Sequence, residues 1–161
     1  VGTIRRPAEF AVNEVGTQEV IRNALQLMEE ERRREHAALG TSKPMADYVC
    51  CIYPTAPLML PNDLKAGFDY LINAGLDLTF SCGLDGDQWR DAGQWYWGAT
   101  EAFLRCIDPI AAVKANHPKV KMFPIPSERV CDINTESDWI RCEQMYSALM
   151  EKSNGEKGKD I

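Results

Sequence analysis

The sequence has no long hydrophobic run, no excess of basic residues and no closely spaced cysteine motif. None of its apolar stretches is long enough to cross a bilayer, and the N-terminus lacks the hydrophobic core of a secretion signal. The formal net charge of −6 disfavours a protein that binds duplex nucleic acid, because such proteins present a basic face to the phosphates. We therefore expect a cytoplasmic protein that associates with neither membranes nor nucleic acids.

The six cysteines give no sign of a metal site or a disulfide framework. No pair has the CxxC spacing of a zinc site, and the two histidines, His36 and His117, stand near no cysteine in the sequence. Reduced and mostly buried thiols are the better interpretation. No serine–histidine or cysteine–histidine arrangement points to a covalent intermediate, so no catalytic residue is assigned. The chain begins without methionine, as if cut from a longer protein.

Apolar patterns along the 161 residues alternate between the periods of strands and helices. Alternation of this kind favours an α/β fold with a mostly parallel sheet, formed as one domain over residues 1–151 and followed by a disordered tail over 152–161. The polar stretch 83–90 is predicted to be a loop. Strands are predicted at 47–53, 76–82, 94–97 and 120–125, and helices from Thr17 to Gly40, from Pro61 to Gly75, over 100–106 and from a capping box at Thr135.

The predicted sheet directs attention to its carboxyl edge. Ligands of open α/β sheets bind beyond the C-terminal ends of the strands, so the loops after Tyr53, Cys82 and Ile125 are the places to expect a site. The strand over 47–53 is nearly continuous in apolar residues, which predicts burial on both faces. The last helix is predicted to point four side chains inward: Trp139, Cys142, Tyr146 and Leu149.

Four segments, in this order, resemble the acylneuraminate cytidylyltransferase family over nearly the whole chain. They read Arg-Pro-Ala-Glu-Phe-Ala at 6–11, Cys-Cys-Ile-Tyr-Pro-Thr-Ala-Pro-Leu at 50–58, Asp-Ala-Gly-Gln-Trp-Tyr-Trp-Gly at 91–98 and Asp-Ile-Asn-Thr-Glu-Ser-Asp-Trp at 132–139. The second and third look most like the branch that acts on pseudaminic acid.

The resemblance implies a three-layer, Rossmann-like nucleotide-sugar transferase fold and a transferase reaction. CMP would pass from CTP to the anomeric hydroxyl of a nonulosonic acid, with pseudaminic acid the expected sugar, and pyrophosphate would leave. The sugar oxygen would attack the α-phosphate in line, while Mg²⁺ offsets charge on the phosphate oxygens. A homodimer is left open by the resemblance.

Two departures from the family pattern limit what the resemblance implies. Members open with a strand and a Gly-, Lys- and Arg-rich loop that wraps the triphosphate, and this sequence shows no such segment, as if truncated at its N-terminus. The family also has a longer insertion where only residues 83–90 stand here. We therefore expect the chain alone to have little turnover, and the alternative is a non-catalytic remnant or binding module of the same fold.

Two residues stand where the family places its metal ligands. Asp132 and Asn134 occupy alternate positions of an extended segment, so both side chains should point to one side, as a Mg²⁺ site requires. Asn134 replaces an acid, which removes one negative charge. The alternative is a turn before the helix cap at Thr135.

Nucleotide contacts are implied for residues of the first and second segments. Arg6 offers a fork of donors for phosphate or base edges, and Thr17 supplies a hydroxyl. Pro54 and Thr55 would shape the floor beneath cytosine and ribose. The alternatives are a surface ion pair for Arg6, a helix cap for Thr17 and a structural turn for the proline loop.

Sugar contacts are implied for the third segment. Gln94 and Tyr96 share one side of the strand and would bind the sugar through an amide and an aromatic face. Trp95 and Trp97 point the other way and are predicted to belong to the core.

Overall fold

Strands and helices alternate to build an α/β fold around one four-stranded sheet. The computed structural model describes residues 2–40 and 44–157. Within them no helix has the length and apolar character to cross a membrane. The strands are β1 (Tyr48–Ile52), β2 (Leu78–Asp85), β3 (Gln88–Ala99) and β4 (Val120–Pro124); the helices are α1 (Thr17–Leu39), α2 (Pro61–Asn73), α3 (Thr100–Leu104), α4 (Pro109–Lys114) and α5 (Glu136–Lys157).

The sheet is mixed, and the prediction of a mostly parallel sheet is wrong. Its order is β1-β3-β2-β4; β3 pairs antiparallel with both β1 and β2, and only β2 and β4 pair in parallel. Strands β1, β2 and β4 nevertheless run in one direction, since β1 and β2 both oppose β3. Their carboxyl ends therefore meet at one edge, which we call the carboxyl edge.

A hairpin accounts for the antiparallel strand and replaces the loop predicted over 83–90. Asp85 pairs with Gln88 across a two-residue turn, and Gly86 in that turn adopts a φ of 59°. A turn this short can join only antiparallel strands, and glycine accepts the positive φ without strain. Apart from the paired Leu84 and Trp89, the hairpin arms are polar, and residues 84–90 are exposed, which explains why the stretch resembles a loop.

Strand β1 lies at the edge of the sheet, so its predicted burial on both faces is wrong. It pairs only with β3, and its two end residues are exposed. The strand buried throughout its first six residues is β2, which has a neighbour on each side. A continuous apolar run signals a strand but does not say whether the strand is central.

Helices cover both faces of the sheet. On one face, Ile21 and Leu25 of α1 join Phe103 of α3 against Leu78, Phe80 and Val120, and α4 packs beside them. On the other face, α2 brings Phe68 against Trp97, with ring centroids 4.9 Å apart.

Two of the four side chains predicted to point inward from helix α5 do so, and the other two do not. Cys142 is buried and Leu149 packs beside it, but Trp139 and Tyr146 are each 53% exposed. The prediction fails because α5 carries apolar residues on two faces and only one of them meets the protein. The predicted capping box is confirmed by the hydroxyl of Thr135, which accepts from the Asp138 amide at 3.3 Å. Helix α5 continues to Lys157, and residues 158–161 of the expected tail lie outside the described residues.

Candidate functional site

Three of the four segments meet at the carboxyl edge, together with α1. Tyr53 follows β1, and its amide donates to the Gln94 carbonyl at 2.9 Å. Strand β3 enters from the same edge, where Asp91 lies opposite Cys82 of β2. The segment after β4 then brings Asp132 beside Gly93, in the part of β3 where the register with β2 shifts. The loops singled out from the sequence thus lie together.

A run of hydroxyl groups crosses this edge. The hydroxyls of Thr17 and Tyr53 share a hydrogen bond, the Tyr53 and Tyr96 ring centroids lie 5.8 Å apart, and the Tyr96 hydroxyl donates to Oδ2 of Asp91. Burial raises the pKa of both tyrosines, so their hydroxyls stay protonated at neutral pH. Thr17 does not cap α1, because Gly16 holds that position; its side chain instead links the helix to the edge.

Asp91 is a half-buried carboxylate held in place from two sides. Besides the Tyr96 hydroxyl on Oδ2, the Gly93 amide donates to Oδ1 at 2.9 Å. Burial raises the pKa of Asp91, and the negative charge of Asp132 raises it further, against the effect of these two hydrogen bonds. The sequence interpretation did not select Asp91, although it opens the third segment.

Asp132 and Asn134 line one cleft of about 500 Å³, as the alternate spacing predicted. The Asn134 amide nitrogen donates to Oδ2 of Asp132 at 3.0 Å, while Oδ1 of Asp132 is buried with no partner among the described residues. The alternative role as a helix start also holds, because the Asn134 backbone amide donates to Asp138 at 3.2 Å. The hydrogen bond from the Thr135 hydroxyl lowers the pKa of Asp138.

The two arginines that line this cleft are both paired. Arg90 contacts Asp85 at 2.7 Å across the hairpin, and Arg141 contacts Asp138 at 3.4 Å within α5. Within the described residues, neither makes an ion pair with Asp91 or Asp132.

Gln94 is completely buried. Its amide nitrogen donates to the Arg129 carbonyl at 2.6 Å, and its Oε1 finds no partner among the described residues. Because its side chain is enclosed, Gln94 presents no surface to a ligand in this structure, and its contact with the sugar stays a prediction. The core interpretation of Trp95 and Trp97 is confirmed: Trp95 is fully buried, and Trp97 packs on α2 and donates to the Leu64 carbonyl at 2.9 Å.

A salt bridge escaped sequence analysis altogether. Arg129 makes two hydrogen bonds to Asp63 at the start of α2, one of them 3.0 Å long, and both side chains are nearly buried. Asp63 also accepts from the Leu60 amide at 3.2 Å, which caps the helix. The partners are 66 residues apart, so no local pattern signals the pair.

An apolar groove of about 680 Å³ lies beside the cleft. Pro54, Pro57, Ile133, Trp139 and Tyr146 are among the residues that line it. The Ile133 amide donates to the Thr55 carbonyl at 3.0 Å, which ties the proline loop to the Asp132 segment. Ile133 thus faces the groove while its two neighbours face the cleft.

Arg6 is not joined to this group. Its side chain is exposed, and no hydrogen bond or ion pair links it to another residue of the part of the chain that the structure describes. Its contact with a nucleotide remains a prediction.

Burial holds four of the six cysteines in the thiol form by raising their pKa, so these four are not activated nucleophiles. Burial raises the pKa of Cys50 to about 12 and that of Cys82 to about 11, and Cys142 is raised to about 11 for the same reason. All six are free thiols, and three of them are buried.

Comparison with models of known protein families gives no match, and comparison with curated protein sequences gives none either.

Proposed function

We propose that this chain is the nucleotide- and sugar-binding part of a cytoplasmic cytidylyltransferase with a Rossmann-like fold. The reaction is transfer of CMP from CTP to a nonulosonic acid, with pseudaminic acid the first candidate, and release of pyrophosphate. One observation carries the proposal: segments 50–58, 91–98 and 132–139, which carry the resemblance, converge at the carboxyl edge although they are far apart in the sequence. A chance likeness in scattered turns gives no reason for such convergence.

The groove is suited to the cytosine and ribose. Exposed Trp139 and Tyr146 offer aromatic faces, and Pro54 and Pro57 give the opposite wall a fixed shape. The adjoining cleft is polar, so a nucleotide that crosses the Ile133 segment has its base on the apolar side and its phosphate on the carboxylate side.

The residues of the cleft fit the divalent ion that this reaction uses. Mg²⁺ prefers a few oxygen ligands and keeps several waters, and Asp132 has a buried oxygen with no described partner. Asp132 and Asn134 would hold the ion, and the ion would offset phosphate charge.

The tyrosine hydroxyls have a supporting role in this proposal. Tyr96 donates to Asp91 and lies against Tyr53, so it fixes the wall of the cleft from behind. Thr17 fixes Tyr53 in turn and anchors α1 to the edge.

The second candidate is a binding module of the same fold without transferase activity. It is favoured by the pairing of Arg90 and Arg141 with acids, because a triphosphate needs cations that are available to it.

Calorimetric titration of the chain with CMP in the presence of Mg²⁺ tests both candidates, with AMP as the control ligand. We expect CMP to bind and AMP not to bind. Trp139→Ala should weaken CMP binding, whereas the matched variant Ile140→Ala, on an equally exposed neighbour outside the groove, should not. Failure of CMP to bind would contradict both candidates.

Pyrophosphate release from CTP and pseudaminic acid then separates them. Turnover of about 1 per second or more identifies a transferase. CMP binding without turnover is expected of both candidates, because little turnover is expected of the chain alone. Turnover gained when the family's Gly-, Lys- and Arg-rich strand and loop are joined to the chain would identify the transferase, and continued absence of turnover would identify the binding module.

A further inference from the structure

Asp91 and Asp132 are two acids that line the same cleft. The irregular part of β3 that follows Asp91, where its register with β2 shifts, lies against Asp132: Gly93 has a φ of 62°, and a Cβ there would lie 3.1 Å from Oδ2 of Asp132. Both carboxylates line the cleft. Each is partly buried, so water screens their repulsion less than it would at an open surface.

No protein cation compensates this pair within the described residues. Arg90 pairs with Asp85, and Arg141 pairs with Asp138. The nearby Arg129 pairs with Asp63. Like charges that line one partly buried cleft repel each other, and a bound cation relieves that repulsion.

The hydrogen bonds of the pair leave room for a shared cation. Asp91 accepts one bond on each oxygen, from Tyr96 and from the Gly93 amide, which orients the carboxylate and leaves lone pairs on both oxygens. Asp132 has one oxygen bonded to Asn134 and one buried oxygen with no described partner. Hydrogen bonds that orient the ligands, beside an oxygen that has no hydrogen-bond partner, are the arrangement expected at a metal site before the metal binds.

We propose that Asp91 is a ligand of the divalent cation, together with Asp132. This inference rests on the proposed function, which assigns the ion to Asp132 and Asn134, and it adds Asp91 as a further ligand. Asp91 supplies from β3 the second negative charge that Asn134 does not provide. Two carboxylates with several waters and a phosphate oxygen make a coordination sphere that suits Mg²⁺. Tyr96 and Gly93 orient Asp91 for this role.

Binding of Mn²⁺ alone to the intact chain tests the inference, because the loss of the free Mn²⁺ signal in electron paramagnetic resonance measures binding without any reaction. We expect one site in the unsubstituted protein. Asp91→Asn and Asp132→Asn should each lower the Mn²⁺ affinity by at least about tenfold, the loss typical even of residues that only support a ligand. Asp85→Asn removes an acid that lines the same cleft but is paired with Arg90, so it should change the affinity by less than about twofold.

Each outcome decides something. If Asp132→Asn abolishes Mn²⁺ binding and Asp91→Asn leaves it unchanged, the Asp91 ligand is overturned and the ion at Asp132 stands. If the unsubstituted protein binds no Mn²⁺ yet binds CMP, the cation site is overturned while the nucleotide site stands. A circular dichroism melt of each variant without metal shows that it is folded, and Asp91→Glu, which keeps the charge, should retain more affinity than Asp91→Asn.

Discussion

Two acidic groups near the carboxyl edge are both partly buried, but only one of them has a cation that compensates its charge. Asp63 lies at the start of α2, nearly buried, with Arg129 bonded to both of its oxygens. Asp91 and Asp132 line the same cleft, and neither has an arginine partner among the described residues. The protein places three arginines in this region and pairs none of them with the two facing acids.

The difference separates a structural acid from a binding acid. The charge and hydrogen bonds of Asp63 are satisfied by Arg129 in the folded chain, and the pair joins α2 to the segment after β4. Two carboxylates in one cleft repel each other when both are ionised. Binding of a cation removes this repulsion, which favours the bound state. The predictions below follow from this contrast.

Loss of the arginine should have the largest effect on stability. Arg129→Met leaves the nearly buried Asp63 carboxylate without its partner, so we expect the free energy of unfolding to fall by about 3–5 kcal/mol. The measurement is urea unfolding followed by circular dichroism.

Lys65→Met provides the matched control. It breaks an exposed salt bridge to Asp69 on the same helix, and its cost should stay below about 1 kcal/mol. If Arg129→Met costs no more than Lys65→Met, the Asp63 pair is not the structural acid that the comparison requires.

A smaller effect is expected at Gly93 of β3, which lies between the two cleft acids. Gly93→Ala places a side chain at a φ of 62° and against Asp132, so it should destabilise the fold by about 1–3 kcal/mol and weaken Mn²⁺ binding. Gly86→Ala is the control, because its φ is 59° but nothing lies within 4 Å of the added atom. It should show the cost in stability without the loss of Mn²⁺ affinity. Equal Mn²⁺ affinities in the two variants would contradict the contact between Gly93 and the cation site.

Local signals in the sequence predicted much of the fold. The capping box at Thr135 and the strand beginning at Val120 are where the patterns predicted them, and the burial of Trp95 follows from alternation along β3. The common side of Asp132 and Asn134 also follows from alternation. Each of these features depends on neighbours within a few residues.

The features that were missed depend on distant partners or on the environment. The two-residue turn does have a local signal, Gly86-Asp87 between two runs, but the mostly polar arms concealed it. The Asp63–Arg129 pair joins residues far apart in the sequence, and the direction of β3 followed from the missed hairpin. Nothing in the sequence shows that the neighbours of Asp91 lack a spare cation.

The pH dependence of stability, with and without Mn²⁺, tests the cation site most directly. The pKa of Asp91 is raised in the folded protein, so the folded state holds this proton more tightly than the unfolded chain does. Its contribution is therefore complete below the unfolded pKa and is lost as the pH rises through the folded pKa. Taking the difference in unfolding free energy between the unsubstituted protein and Asp91→Asn isolates this group from the other acids, including Asp138, whose lowered pKa acts in the opposite direction.

Without metal, this difference should fall as the pH rises from acid to neutral, because burial disfavours the ionised Asp91 carboxylate and the charge of Asp132 adds to that cost. With saturating Mn²⁺ it should rise over the same range, because the ion binds the ionised pair. A difference that falls equally with and without Mn²⁺ would show that Asp91 holds a proton and no metal, and would contradict the account.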